Sequence, residues 1–255
     1  MNYKILFKTA MLAGEIMLRS GAETFRVEDT MNRILALSNL KTVESFCTTT
    51  GIFATLEHPS MEPITKVKRI DKRVTNLNRI HMVNHISRRL CEGKMNEKEA
   101  YLALLNVKHQ KCFSKKTVAI FTVLCMVHFI ALLGGKPVDL LIGTLAGVAV
   151  ILLDYLMDGK RVNVFISNVI KSMGIAGVTA GMSSVLQGGN QSLIMIGSMM
   201  VLVPGVPITN AIRDTLEGEY MAGIARACEA FVVAMAIAIG IAAGLKFMSL
   251  VGNVV

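Results

Sequence analysis

The sequence predicts a polytopic α-helical membrane protein, with an N-terminal cytosolic α+β domain ahead of five transmembrane helices. Three observations predict it. Hydrophobic residues fill 53% of the 255 positions and charged residues 18%, a balance too apolar for an ordinary soluble domain. The charge is also uneven: residues 1–116 carry 20 Lys/Arg against 11 Asp/Glu, while residues 117–255 carry 7 of each. Finally, five apolar runs fill that neutral second part, each near the roughly 20 residues that cross a hydrocarbon core.

Within 1–116 the periodicity alternates between helix and strand. Residues 3–19 place Ile5, Leu6, Met11, Leu12, Ile16 and Met17 in a helical stripe that Gly21 can stop. Residues 24–37 repeat the pattern with Val27, Met31, Ile34 and Leu35. Residues 43–56, rich in Thr, Val and Phe around Gly51, suit a strand or bent hairpin. Residues 64–70 alternate, though not cleanly. Helical spacing returns over 77–90 and 94–108. A chain of this length buries a modest core.

From Thr117 the expected spans are 118–133, 138–156, 164–186, 193–212 and 220–245. Lys108, Lys111, Lys115 and Lys116 precede the first, Lys160 and Arg161 link the second to the third, and Arg213 ends the fourth. The positive-inside bias therefore sets the N-terminus in the cytoplasm and the C-terminus outside, with Lys136 and Lys246 as minor exceptions. Glycines recur four apart (Gly143 and Gly147, Gly177 and Gly181, Gly240 and Gly244), which suits close helix packing within one bundle better than a dedicated dimer face.

The fourth span is the informative one. It meets Pro204, Gly205 and Pro207, then Asn210, Arg213 and Asp214. Proline removes a backbone donor and clashes with the preceding turn, so the helix breaks there. In lipid such a break survives only where protein or a water-filled cavity satisfies the freed groups, which points to a polar path and a transporter. Asn210, Arg213 and Asp214 share one side of a resumed helix. Arg213 can hold a carboxylate and Asn210 can hydrogen-bond polar groups; alternatively Arg213 and Asp214 are the solvated cytoplasmic end of the span. Arg226 and Glu229 form an i, i+3 pair early in the fifth span. Glu229 can carry a coupling proton, or the two can be an interfacial ion pair that fixes helix depth.

Elsewhere the chemistry is sparse. Gly21, Glu23, Thr24, Arg26, Glu28 and Asp29 gather around a helix start, where acids either bind a cation or simply favour the N-terminus electrostatically. The basic run Lys66, Lys68, Arg69, Lys72, Arg73 and Arg79 suits anionic lipid headgroups better than nucleic acid, for want of interleaved aromatics. His128 stands alone in its span. No P-loop, dinucleotide fingerprint, nucleophile elbow or zinc motif is present, so no cofactor, no metal and no catalytic residue is expected. The five cysteines are odd in number and lack a C-x-x-C pair, which fits reduced thiols. A membrane-anchored enzyme with a hydrolase-like N-terminal domain would need a nucleophile beside one of the histidines, and none is arranged.

Gly21-Ala-Glu-Thr-Phe-Arg-Val-Glu28, the 66–73 strand region, Leu202-Val-Pro-Gly-Val-Pro-Ile-Thr-Asn-Ala-Ile-Arg-Asp214 and Gly218-Glu-Tyr-Met-Ala-Gly-Ile-Ala-Arg226 together resemble the N-terminal half of the bacterial threonine/serine exporter family. The resemblance covers nearly the whole chain in the right order. It implies a subunit that exports small polar solutes, threonine and serine or a dicarboxylate such as succinate, across the bacterial inner membrane. It also implies that a separate small membrane protein supplies the second transporter half, as in split members. A non-transporting regulatory or assembly subunit is the alternative.

Overall fold

The computed structural model describes residues 2–40, 42–58, 61–110, 113–160, 162–186 and 188–252. Lys111 and Arg161, which entered the flank and link readings above, lie outside the described residues. The chain divides into two units, one of residues 1–111 with 206–228 and one of residues 112–205 with 229–255.

The first unit is built around α1 (Tyr3–Arg19), whose residues from Leu6 to Leu18 are buried nearly all round. A helix apolar on every side belongs in the centre, and α1 packs on α2 (Thr24–Ala36), α3 (Leu77–Cys91), α4 (Glu97–His109) and the sheet. Each start has a local cause. Asn2 caps α1, Asn76 caps α3, and Asn96 with Glu99 closes a capping box on α4. The expected hairpin is a three-stranded antiparallel meander, β1 (Thr42–Thr48), β2 (Gly51–His58) and β3 (Met61–Arg69), in the order β1-β2-β3. Cys47, Ile52, Ala54 and Leu56 face the core. Phe46, Phe53 and Val67 stand in register across the outer face and are exposed.

The blurred alternation of β3 has a specific cause. Lys68, paired in register with the buried Ile52, lies on the core face. Its ammonium reaches the carboxylate of buried Glu15 at 3.6 Å, alongside Lys108 at 3.1 Å and Arg19 at 3.2 Å. A charge on the inner face is tolerable because it is paired there.

In the second unit, α5 (Lys115–Leu132), α6 (Pro137–Met157), α7 (Val164–Val185) and α8 (Gln191–Met199) pack together, and residues 229–252 of α10 (Tyr220–Gly252) belong to the same unit, with Gly240 and Gly244 against α7. Ser114, Asn163 and Asn190 cap α5, α7 and α8. Asp139, not singled out from the sequence, is buried at the start of α6, where it accepts the Lys136 N–H at 2.7 Å and the Asn190 N–H at 2.7 Å. Glycines serve packing: a Cβ on Gly240 would lie 2.3 Å from the Val169 carbonyl oxygen, and one on Gly143 2.1 Å from Ile130 Cδ1. Gly177 meets nothing within 4 Å.

Among the described residues, four helices are long and apolar enough to cross a membrane: Lys115–Leu132, Pro137–Met157, Val164–Val185 and Tyr220–Leu250. The stretch expected as a fourth span, 193–212, is instead two short helices, α8 and α9 (Gly205–Leu216), of 9 and 12 residues. Pro204 lies between them. Pro207 sits in the first turn of α9, where its missing N–H has no intrahelical partner to lose.

Candidate functional site

The two motif blocks meet inside the first unit. α1 ends at Ser20, and Gly21 takes a positive φ of 81°, which only glycine adopts at no steric cost. The Ala22 N–H returns to the Met17 carbonyl at 3.1 Å, so the chain leaves α1 in a tight turn. It enters α2 at once. Glu23 is the N-cap of α2 but makes no side-chain cap hydrogen bond. The cap comes from far along the chain: Thr24 donates its backbone N–H to Asp214 Oδ1 at 2.9 Å and its hydroxyl to Asp214 Oδ2 at 3.3 Å.

Asp214 is 0% exposed and its partner Arg226 4%. Arg226 Nε lies 2.8 Å from Asp214 Oδ2, and Nη2 donates to the Ala22 carbonyl at 2.7 Å and, more weakly, to Thr24 Oγ1 at 3.5 Å. Asn210 Nδ2 donates to the Gly21 carbonyl at 2.8 Å, and Arg213 Nη1 to Glu23 Oε1 at 2.6 Å. Arg26 stands 3.5 Å from the other Glu23 oxygen. α9 and the first turns of α10 form the scaffold. They are joined through Gly218 and pressed together at Gly223, where a Cβ would fall 2.1 Å from Thr215 Oγ1 and 3.1 Å from the Ala211 carbonyl oxygen. That close approach sets Arg226 beside Asp214.

The solvated-end reading of Asp214 is therefore corrected: its carboxylate is dry, and it holds a guanidinium and the start of another helix. Arg213 and Arg26 are the exposed members of this set. Arg226 engages Asp214, a partner that spacing along one helix could not reveal. Glu229 is exposed and belongs to the second unit, as do Pro204 and Gly205. Glu28, the last residue of the first motif, points elsewhere. It accepts the Cys47 N–H at 3.1 Å and so covers an outward donor of the edge strand β1.

The electrostatics of the two glutamates diverge. Burial pushes Glu23 up, but its backbone hydrogen bond, Arg213 and Arg26 together outweigh burial and hold the carboxyl below the usual range. Glu28 lies above that range, because burial and the nearby Glu219 charge outweigh the Cys47 N–H. Burial also drives the Cys47 thiol far up, so it is inert. Among the described residues no cluster of His, Cys, Asp or Glu is arranged to hold a metal.

The profile of the family described as "Putative threonine/serine exporter" matches residues 8–248. The chain belongs to the threonine/serine exporter family. A curated relative from Mycobacterium tuberculosis, described as "Probable threonine/serine exporter", is 22% identical over 245 residues, covering 95% of this chain and 46% of its own length. The chain thus spans about half the length of that relative. No solved structure matches it. Family membership and four apolar helices of spanning length identify an integral membrane protein of a transporter family.

Proposed function

We propose that this chain is a subunit of a secondary exporter of small polar solutes in the bacterial inner membrane, carrying threonine or serine, or a dicarboxylate such as succinate. The supporting observation is the cluster on α9 and the first turns of α10. A family of exporters here places a buried Asp214–Arg226 pair, Asn210 and an exposed Arg213 next to one another on α9 and α10. Buried ionic groups on helices of this kind mark solute paths.

In this reading α8, the turn through Pro204 and Gly205, and α9 with Pro207 form a fifth, interrupted crossing. The N-terminal α+β domain lies in the cytoplasm and delivers solute to Asn210 and Arg213. Glu229 carries the coupling proton. A separate small membrane protein supplies the remaining transporter half, and Lys66, Arg69, Lys72 and Arg73 attract anionic lipid headgroups. No nucleic acid takes part.

Efflux of preloaded labelled threonine, serine and succinate tests this, in cells expressing the chain alone and with a membrane protein encoded beside it. One solute should leave faster only when both chains are present, and Asn210→Ala or Arg213→Ala should abolish that efflux with membrane insertion intact. Normal efflux from both variants overturns the site.

A further inference from the structure

The outer face of the three-stranded sheet departs from the usual plan. An antiparallel sheet that covers a core on one side normally turns polar side chains outward on the other. Here Phe46, Phe53 and Val67 form one cross-strand row on the outer side, 54%, 41% and 63% exposed, with the two rings 6.2 Å apart. Strand pairing fixes what surrounds that row. Glu44 stands on β1 one row to one side, level with Thr55 and Thr65. Arg69 stands on β3 one row to the other side, level with Gly51 and Thr48. Both charged residues are exposed. Phe53 on the middle strand thus has an acid and a base at diagonally opposite corners, while the other two corners, Thr48 and Thr65, are uncharged.

A patch of this pattern is complementary to itself. A two-fold axis along the Thr48–Thr65 diagonal turns a second copy over so that Phe53 meets the partner's Phe53. The same rotation sets Glu44 of each copy against Arg69 of the other, as a self-complementary contact requires. The strands of the two sheets then cross near a right angle, one of the two ways in which sheets pack face to face. We propose that the Phe46–Phe53–Val67 face joins two copies of this chain, with Phe53 on the two-fold axis and a Glu44–Arg69 pair on either side. Aromatic rings at the centre and arginine beside them match the composition of protein interfaces. Arg69 now pairs with Asp71, but both side chains are exposed, 84% and 73%, so that pair is given up at little cost. An anionic bilayer surface fits the face less well. Lys66 and Lys68 alternate to the opposite side, in register with buried Ala54 and Ile52, whereas Glu57 adds a second exposed acid to this one. Anchoring in one bilayer holds copies at a high effective concentration, so a patch smaller than a standard soluble interface suffices. The pairing goes beyond the exporter reading and does not depend on which solute is carried.

Cross-linking of the full-length chain in vesicles of neutral lipid tests the contact, with every cysteine but the buried Cys47 replaced by serine. Thr65→Cys should form a covalent dimer with a short bis-maleimide, because facing sheets lie about 10 Å apart. Lys66→Cys, on the other side of the same strand, should not. Adding Glu44→Arg or Arg69→Glu sets like charges against each other twice and should lower the dimer yield about ten-fold. The two reversals together restore opposite charges and should restore the yield, with circular dichroism unchanged throughout. Equal cross-linking from Thr65→Cys and Lys66→Cys, a yield indifferent to the single reversals, or one that the double reversal fails to restore overturns the proposal. So does a Thr65→Cys chain that stays monomeric yet is shielded from a water-soluble maleimide by anionic vesicles, an outcome that gives the face to the bilayer.

Discussion

Asp214 and Arg213 are neighbours in sequence and opposites in energetics. Asp214 and Arg226 are out of water and satisfied mainly by each other and by residues 22–24. Removing one member of such a pair strands the other, a loss of about 3–5 kcal/mol. Asp214→Ala should therefore lower the detergent-solubilised melting temperature by many degrees. Arg213 is 65% exposed in its pair with Glu23, so Arg213→Ala should cost less than about 1 kcal/mol. Lost efflux in Arg213→Ala would thus report function rather than folding. The glutamates add a pH signature. Glu23, held below its ordinary value of 4.5, contributes stability that is full above that value and is lost as pH falls through the lowered one. Glu28 is raised above 4.5, so its ionisation opposes folding increasingly as pH rises through the raised value. Glu28→Gln should therefore gain in melting temperature relative to the parent as pH rises from 4 to 7, while Glu23→Gln loses. Thermal melts across that range measure both slopes, and parallel curves would contradict the assignment.

At the level of elements, apolar periodicity carried most of the information. The stripe of 3–19 becomes α1 with the expected ends, and 77–90 becomes α3 with one residue added, because apolar spacing and asparagine caps act locally. What stayed hidden was tertiary. Lys68 blurred the strand pattern of β3 because its reason for facing inward, Glu15, is on another element. Likewise the cap of α2 is 190 residues away from it, beyond any local signal. The glycine pairs show the same limit, since spacing marks candidates and only packing separates Gly240, against a backbone carbonyl, from Gly177, against nothing. Gly240→Leu should therefore disrupt the α7–α10 contact and reduce the yield of folded protein, whereas Gly177→Ala should be neutral or slightly stabilising through helix propensity. Size-exclusion profiles of the two variants make the comparison, and equal profiles would contradict it.

On the scale of the whole chain, composition places a boundary near residue 116, where the charge excess ends, whereas contacts group residues 206–228 with residues 1–111. Composition cannot show this return. The α9–α10 segment is apolar enough to read as membrane, and its tie to the N-terminal motif consists of a few buried polar groups: Asn210 on Gly21, Asp214 on Thr24 and Arg226 on Ala22. The apolar core of the first unit, from Leu6 to Val107, lies entirely within residues 1–111. Residues 1–111 alone should therefore fold, because the hydrophobic term that drives folding is intact. They should nevertheless leave the Thr24 amide open to exchange, because its acceptor is missing. Joining residues 206–228 through a flexible linker should restore protection at Thr24 and raise the melting temperature, while the same fusion carrying Asp214→Ala should not. Full protection of Thr24 in residues 1–111 alone would show that α2 caps itself, and the long-range tie would lose its role in defining the unit.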